Sequence, residues 1–430
     1  MRTKRRLPFQ NMTPTAWQNL ALTAMLTFYI VLFGYELAQN NFCQSVGIDY
    51  CAYWSGGIIS RTRRTADVYD LDILTQTQKE VFPQAQHDSF ETFAIMYPPV
   101  FVLPFRLLSR LPLPWSYLVW TTLNLVGFIY YLRLFAKEVS GLRLPTRLAM
   151  MCLLSLPVFQ NLLFGQASIW LAICAGEFMR GMIAGKPLWA GLWLGGWLLK
   201  PQLLVLIVPF LLIQRFWKVL IGFMLSSLFV LITSVGLIGV DGLLNLTDTL
   251  LDAAAGGVHS KAEIMMNWRM LGTNLQTMTS PAFGWAVILV GSILTVGVAL
   301  YAFRKKGAWG STEHGLALLG LFAATGAVTW HAHLHMSVVL IPPMLFLLLN
   351  KKFSQKLFSA WVFLPFAVLF VTFFLTALID INRVLLQLVE GSRGFLFNLF
   401  FLGWAVAAFR KYTQTGEIEE NTQPPDEIVA

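Results

Sequence analysis

The chain has 430 residues, 56% of them hydrophobic and only 12% charged, with a mean hydropathy of +0.63. A soluble domain carries about 25% charged residues, so a soluble multidomain protein of this length is excluded. The net charge of +9 does not indicate nucleic acid either, because the Lys and Arg residues stand at the ends of apolar runs and form no basic face with interleaved aromatics.

The first apolar run, 17–38, follows Arg2, Lys4, Arg5 and Arg6 and has no small-residue cleavage site. It predicts a membrane span with a cytoplasmic N-terminus rather than a removed signal peptide. The segment 39–97 is then the first extracytoplasmic loop. It holds Asp49 in Gly47-Ile48-Asp49-Tyr50-Cys51-Ala52-Tyr53-Trp54, among aromatic and small residues. A partly desolvated carboxylate at the membrane surface suits a general base; the alternative is a solvated loop acid. Cys43 and Cys51 flank it, a pair compatible with a disulfide in an oxidising compartment or with two free thiols. The mixed pattern through Ala66-Asp67-Val68-Tyr69-Asp70 to Phe93 reads as one or two short amphipathic helices on the outer surface. Tyr97-Pro98-Pro99 reads as a structural corner where the chain enters the membrane.

The stretch 98–111 is too short to cross at ~20 residues per span. Spans are predicted at 115–132, 148–164 and 167–183, with Gly165-Gln166 between the last two. The next apolar stretch, 188–213, is interrupted by Lys200-Pro201. The basic clusters Arg133/Lys137/Arg143/Arg147, Arg180/Lys186 and Arg215/Lys218 all reach the cytoplasmic side only if 188–199 and 202–213 are two short helices meeting near the outer face. The stretch 92–114 then lies outside or is re-entrant; the alternative is one unbroken helix at 188–213. Lys200 stands in an otherwise uncharged stretch, where it is either a phosphate-binding point charge or a lysine snorkelling to the interface.

A span at 216–240 leads into a second large outer segment, 241–282, with His259, Lys261, Glu263, Asn267, Arg269, Gly272 and Asn274. It reads either as a polar loop closing over a substrate or as a solvated connector. Spans follow at 283–303, 314–330, 334–350, 357–378 and 394–410, with Arg304-Lys305-Lys306, Lys351-Lys352 with Lys356, and Arg410-Lys411 on the cytoplasmic side. Thr329-Trp330-His331-Ala332-His333-Leu334-His335 places three of the six histidines at the outer end of a span. Their alternate spacing on a helix and the lack of a nearby Cys or carboxylate favour phosphate or sugar contact, or interface structure, over a metal site. The acidic stretch 414–430 reads as a disordered cytoplasmic tail. Residues 1–413 form one domain, an all-α polytopic membrane protein with about 10–13 transmembrane or re-entrant helices.

An acid soon after the first span, then Tyr69-Asp70, Tyr97-Pro98-Pro99, Gly165-Gln166, Lys200 and Trp330-His331-Ala332-His333 follow one another in an order that resembles the family 87 glycosyltransferases, over roughly residues 45 to 345. The resemblance implies the membrane-embedded fold of the C superfamily of glycosyltransferases. It also implies transfer of a hexose, mannose, from a polyprenyl-phosphate sugar to a hydroxyl of a lipid or glycan acceptor. The reaction would run at the extracytoplasmic face with inversion. Asp49 matches the family's catalytic acid. Tyr97, Gln166, Lys200, Asn267, Arg269, His331 and His333 fall at donor- or acceptor-binding positions. The partners implied are the lipid-linked sugar, the acceptor and membrane lipids, not nucleic acid. No cofactor or metal is implied, since cationic side chains can stabilise the leaving phosphate. Two positions depart from the family's pattern: Ala332 replaces its first His, with His331 and His335 nearby, and Asn267-Trp268-Arg269 stands where Asn-x-Ser is usual. The competing class is a transporter or flippase, which broken helices and an internal repeat would mark; no tandem repeat is visible.

Overall fold

The computed structural model describes residues 13–39, 42–82, 92–255, 261–305 and 310–422. Among them there is no β-strand, and nearly everything is helical. The basic N-terminal residues, Lys306, His259 and the end of the tail lie outside the described residues.

The first helix, α1 (Pro14–Ala38), is capped by Thr13 and covers the run where a span is expected. Three shorter helices follow: α2 (Ile48–Thr62), α3 (Leu71–Val81) and α4 (Leu103–Leu108), with 3-10 turns at Thr65–Tyr69 and Pro99–Val102. One helix, α3, falls within the stretch 66–93 read as amphipathic; α2 precedes that stretch and is buried along most of its length. The reason is its composition: Ser55, Gly56 and Gly57 remove side-chain bulk, and a Cβ at Gly57 would collide with the backbone of Phe105 in α4.

Next come α5 (Leu113–Ser140), α6 (Thr146–Leu154), α7 (Leu156–Phe164) and α8 (Ser168–Ile183). The expected straight span at 148–164 is instead α6 and α7, bent by 55°. Pro157 at the start of α7 supplies no backbone donor, and Ser155 is extended. The interruption at Lys200 is real. The stretch consists of α9 (Pro187–Leu194), 3-10 turns at Gly195–Leu199 and Pro201–Leu203, and α10 (Leu204–Ile213).

The apolar run after Arg215 continues further than 240. In α11 (Trp217–Ala255) the helix turns at Gly239, whose φ is +68°, and Leu243 to Leu251 prolong it. The second polar segment is shortened accordingly and contains α12 (Trp268–Met278). Then follow α13 (Pro281–Ala302) and α14 (Thr312–Val328). The expected span at 334–350 is a 3-10 turn, Leu334–Leu340, continued by α15 (Ile341–Leu349). The chain ends with α16 (Gln355–Leu378) and α17 (Arg383–Thr422), the latter running into the stretch read as a tail.

Among the described residues, six helices (α1, α5, α11, α13, α16 and α17) are long and apolar enough to cross a membrane, and the bent α6–α7 pair can serve as a seventh. Their outward faces are apolar: Tyr130, Met224 and Ile293 are each about two-thirds exposed, as lipid-facing residues are. The protein is therefore a multi-pass membrane protein. In contrast, α14 is buried from His314 to Ala327 and α8 over most of its length. These two helices, of 17 and 16 residues, form the core of the bundle. A second, aromatic core built on Tyr50, Tyr53, Tyr97, Phe105, Tyr117 and Trp120 lies under α2. Cys43 and Cys51, 5.8 Å apart at Cα, are joined by a disulfide that closes the chain around the start of α2.

Candidate active site

Three local arrangements build the site. The first is the α7–α8 corner. Gly165 is left-handed at φ +72°, its N–H donates to the Leu162 carbonyl at 3.1 Å, and the Gln166 N–H donates to the Asn161 carbonyl at 2.8 Å. This is the Schellman closure of a helix end. Only glycine fits, because a Cβ would stand 2.5 Å from Tyr50 Cβ. The last carbonyls of α7 are satisfied from other elements. The Tyr117 hydroxyl donates to Leu162, the Gly47 N–H to Leu163 at 2.8 Å and Trp120 Nε1 to Gly165 at 2.9 Å. The start of α2, with Asp49 in its first turn, is thereby docked on the corner that carries Gln166.

The second arrangement is the break at Lys200. Pro201 cannot donate to the preceding turn, and Lys200 leaves the helical region with φ −139° and ψ 77°. Its ammonium, 8% exposed as a residue, donates to Gln166 Oε1 at 2.9 Å and lies 3.5 Å from Ser168 Oγ.

The third is the histidine segment after α14. Four successive carbonyls are each held by a donor. Asn267 Nδ2 donates to Thr329 at 2.6 Å, Arg269 Nη1 to Trp330 at 3.2 Å, Gln202 Nε2 to His331 at 3.3 Å and the Met266 N–H to Ala332 at 2.8 Å. With the backbone fixed in this way, alternate side chains fall on one side. The His331 and His333 rings are 4.8 Å apart, and His333 and His335 are 6.0 Å apart.

A single polar chain joins these parts. The Tyr53 hydroxyl donates to the Tyr97 hydroxyl at 2.9 Å, which donates to Gln166 Oε1 at 2.9 Å, where Lys200 also donates. Ser168 Oγ continues from Lys200 to His335 Nδ1 at 2.9 Å. The charge of Asp49 reaches Lys200 and the phenols of Tyr53 and Tyr97. Burial, reinforced by the charges of Lys200 and Arg269, pushes the His331 imidazole down to about 4. Burial and neighbouring positive groups lower His333 as well, so both rings are neutral near pH 7. Arg269 stacks over the Trp330 ring at 4.3 Å.

The residues singled out in the sequence thus converge from positions far apart in the chain. Tyr97, Gln166 and Lys200 touch directly. Asp49, His331, His333 and Arg269 lie within electrostatic reach of Lys200 or of one another. Asn267 is fully buried with both ends of its amide engaged, its oxygen capping α12 at Met270 N and its nitrogen holding Thr329. The Tyr69-Asp70 pair has structural work: Tyr69 donates to the Tyr97 carbonyl at 2.7 Å, and Asp70 caps α3. Sequence reasoning missed Tyr53, Ser168 and Gln202. Tyr53 follows Asp49 by one helical turn and Ser168 follows Gln166 by two residues, which were the available signals. Among the described residues, no group of three or more His, Cys, Asp or Glu is placed to hold a metal ion.

A family model described as glycosyltransferase family 87 matches residues 95–328, more than half of the chain. No curated protein and no solved structure matches.

Proposed function

The chain belongs to glycosyltransferase family 87 and is a membrane glycosyltransferase, and on that premise we propose that it moves mannose from a polyprenyl-phosphate donor to a hydroxyl of a lipid or glycan acceptor, with Asp49 as general base. The observation that carries the reading is the convergence of one acid and two cations on a buried polar chain. Asp49 acts on Lys200 through space, while Lys200 and Arg269 both act on the His331 and His333 rings.

In this reading the lipid tail stays in the bilayer and the phosphate enters beside Lys200. Asp49 takes the proton of the acceptor hydroxyl as its oxygen attacks the anomeric carbon. The bond from that carbon to the phosphate oxygen breaks, and the electron pair leaves with the lipid phosphate. Lys200 stabilises the growing charge, with Arg269 as a second cation near the same neutral imidazoles. His331 and His333, uncharged, serve as hydrogen-bond partners for the phosphate or sugar oxygens. Asn267 and Gln202 act indirectly by holding the backbone of the histidine segment. A single in-line displacement inverts the anomeric centre.

We place the site on the extracytoplasmic side, with both termini cytoplasmic. The Cys43–Cys51 disulfide supports that side, because such bonds persist in oxidising compartments. So do the basic clusters at the opposite ends of the spans.

The test is turnover of labelled polyprenyl-phosphate mannose by membranes carrying the wild type or Asp49→Asn. Asn keeps the size and loses the basicity, so transfer should fall by about a thousandfold or more, within the range of lost general-base catalysis. Near-normal transfer by the variant would remove Asp49 as the base. Movement of the donor across the bilayer with no transfer by either protein would favour a flippase.

A further inference from the structure

We propose that Ser168 and His335 are positioning residues that hold the Lys200 ammonium where it meets the leaving phosphate. The inference rests on the phosphate role given to Lys200 above.

The chemistry of the donors fixes the direction of the chain. An ammonium carries three N–H donors and no acceptor. Lys200 therefore donates both to Gln166 Oε1 at 2.9 Å and to Ser168 Oγ at 3.5 Å. Ser168 Oγ thus receives a hydrogen from the lysine, and its own hydrogen is left for His335 Nδ1 at 2.9 Å. Nδ1 must then be the bare nitrogen, and His335 carries its single hydrogen on Nε2. A hydroxyl that donates to an acceptor is itself a better acceptor, so the imidazole strengthens the weaker leg of the chain, the one from lysine to serine.

The three residues come from three elements. Lys200 sits between two 3-10 turns, Ser168 is the first residue of α8, and His335 belongs to the turn after the histidine segment. Ser168 is fully buried and His335 is 3% exposed, so neither can wander. A lysine has a long flexible stem and a charge without directional preference. Gln166 alone leaves its ammonium free to swing about one contact; the serine supplies a second point. Gln166 does not depend on this arrangement, because its Oε1 also accepts the Tyr97 hydroxyl.

The experiment uses the full chain in membranes with labelled polyprenyl-phosphate mannose. Ser168→Ala and His335→Leu should each lower kcat/KM about tenfold, the scale of one hydrogen bond to a charged group. Both losses should vanish in a Lys200→Met background, since a residue acting through Lys200 has nothing left to position. His335→Asn places an oxygen near the position of Nδ1 and should recover most of the loss, whereas His335→Gln, whose amide reaches toward Nε2, should not. Losses that add to that of Lys200→Met, or recovery by Gln rather than Asn, would overturn the proposal. If the variants fail to fold, nitrogen NMR of histidine-labelled wild-type protein decides: a protonated Nδ1 on His335 refutes it. A Lys200→Met enzyme with normal transfer would instead sink the phosphate role itself, which is a different failure.

Discussion

Replacing Lys200 by Met tests the phosphate role proposed for it apart from the integrity of the fold. The substitution keeps most of the apolar stem and removes one buried charge. It orphans no acceptor, because Gln166 Oε1 still receives the Tyr97 hydroxyl and Ser168 still pairs with His335. The lost charge-assisted hydrogen bond, ~1.5–3 kcal/mol, is offset by the relieved cost of burying an ammonium. Stability should therefore change by only about 1 kcal/mol, shifting the unfolding midpoint by a few degrees at most. Transfer has no such compensation. A phosphate that loses the ammonium proposed to hold it forfeits ~2–3 kcal/mol, so kcat/KM should drop roughly 30- to 150-fold. The assay is initial-rate turnover of labelled polyprenyl-phosphate mannose across a range of donor concentrations, beside a thermal scan of the purified protein. Transfer within a factor of about two of wild type, from a protein that unfolds normally, would refute the phosphate assignment.

Gly165→Ala should destabilise the protein by about 2–4 kcal/mol, through the left-handed backbone and the overlap with Tyr50. It should also cost activity, since Gln166 is set by the same turn; an unchanged unfolding midpoint would show that the corner yields. Cys51→Ser should remove about 2–3 kcal/mol of loop-closure stabilisation, and nonreducing peptide mapping of the wild type should give one Cys43–Cys51 cross-linked peptide. Two freely alkylated thiols would contradict the bridge. In a background without native cysteines, a cysteine at position 139 or 183 should resist a membrane-impermeant thiol reagent in intact cells and one at 260 should react; labelling at 139 would reverse the orientation argued for the spans.

The class of the protein was legible in the sequence because the bilayer imposes a one-dimensional rule. A segment must be apolar over a set length with its backbone bonds satisfied internally, and that requirement is visible as long runs such as 17–38 and 357–378. The break at Lys200-Pro201 was legible for the same kind of reason, since a missing donor and a charge in an apolar stretch are local facts. Asp49, Lys200 and the histidines could be singled out one by one as polar or charged residues beside apolar runs, whereas Tyr97 and Gln166 were named from the resemblance to family 87. Tertiary structure decided which apolar segments face lipid and which fill the core. A run such as 314–330 looks like any span, and only enclosure by its neighbours makes α14 an interior helix. The bend between α6 and α7, the extension of α11 past Gly239 and the 3-10 turn at Leu334–Leu340 likewise depend on packing that periodicity does not record. Tertiary structure also decided the roles of Tyr53, Ser168 and Gln202, ordinary residues until folding brings a donor from one helix against an acceptor from another. Hydrogen bonds act over about 3 Å in space, whereas the partners here are separated by up to 167 positions along the chain.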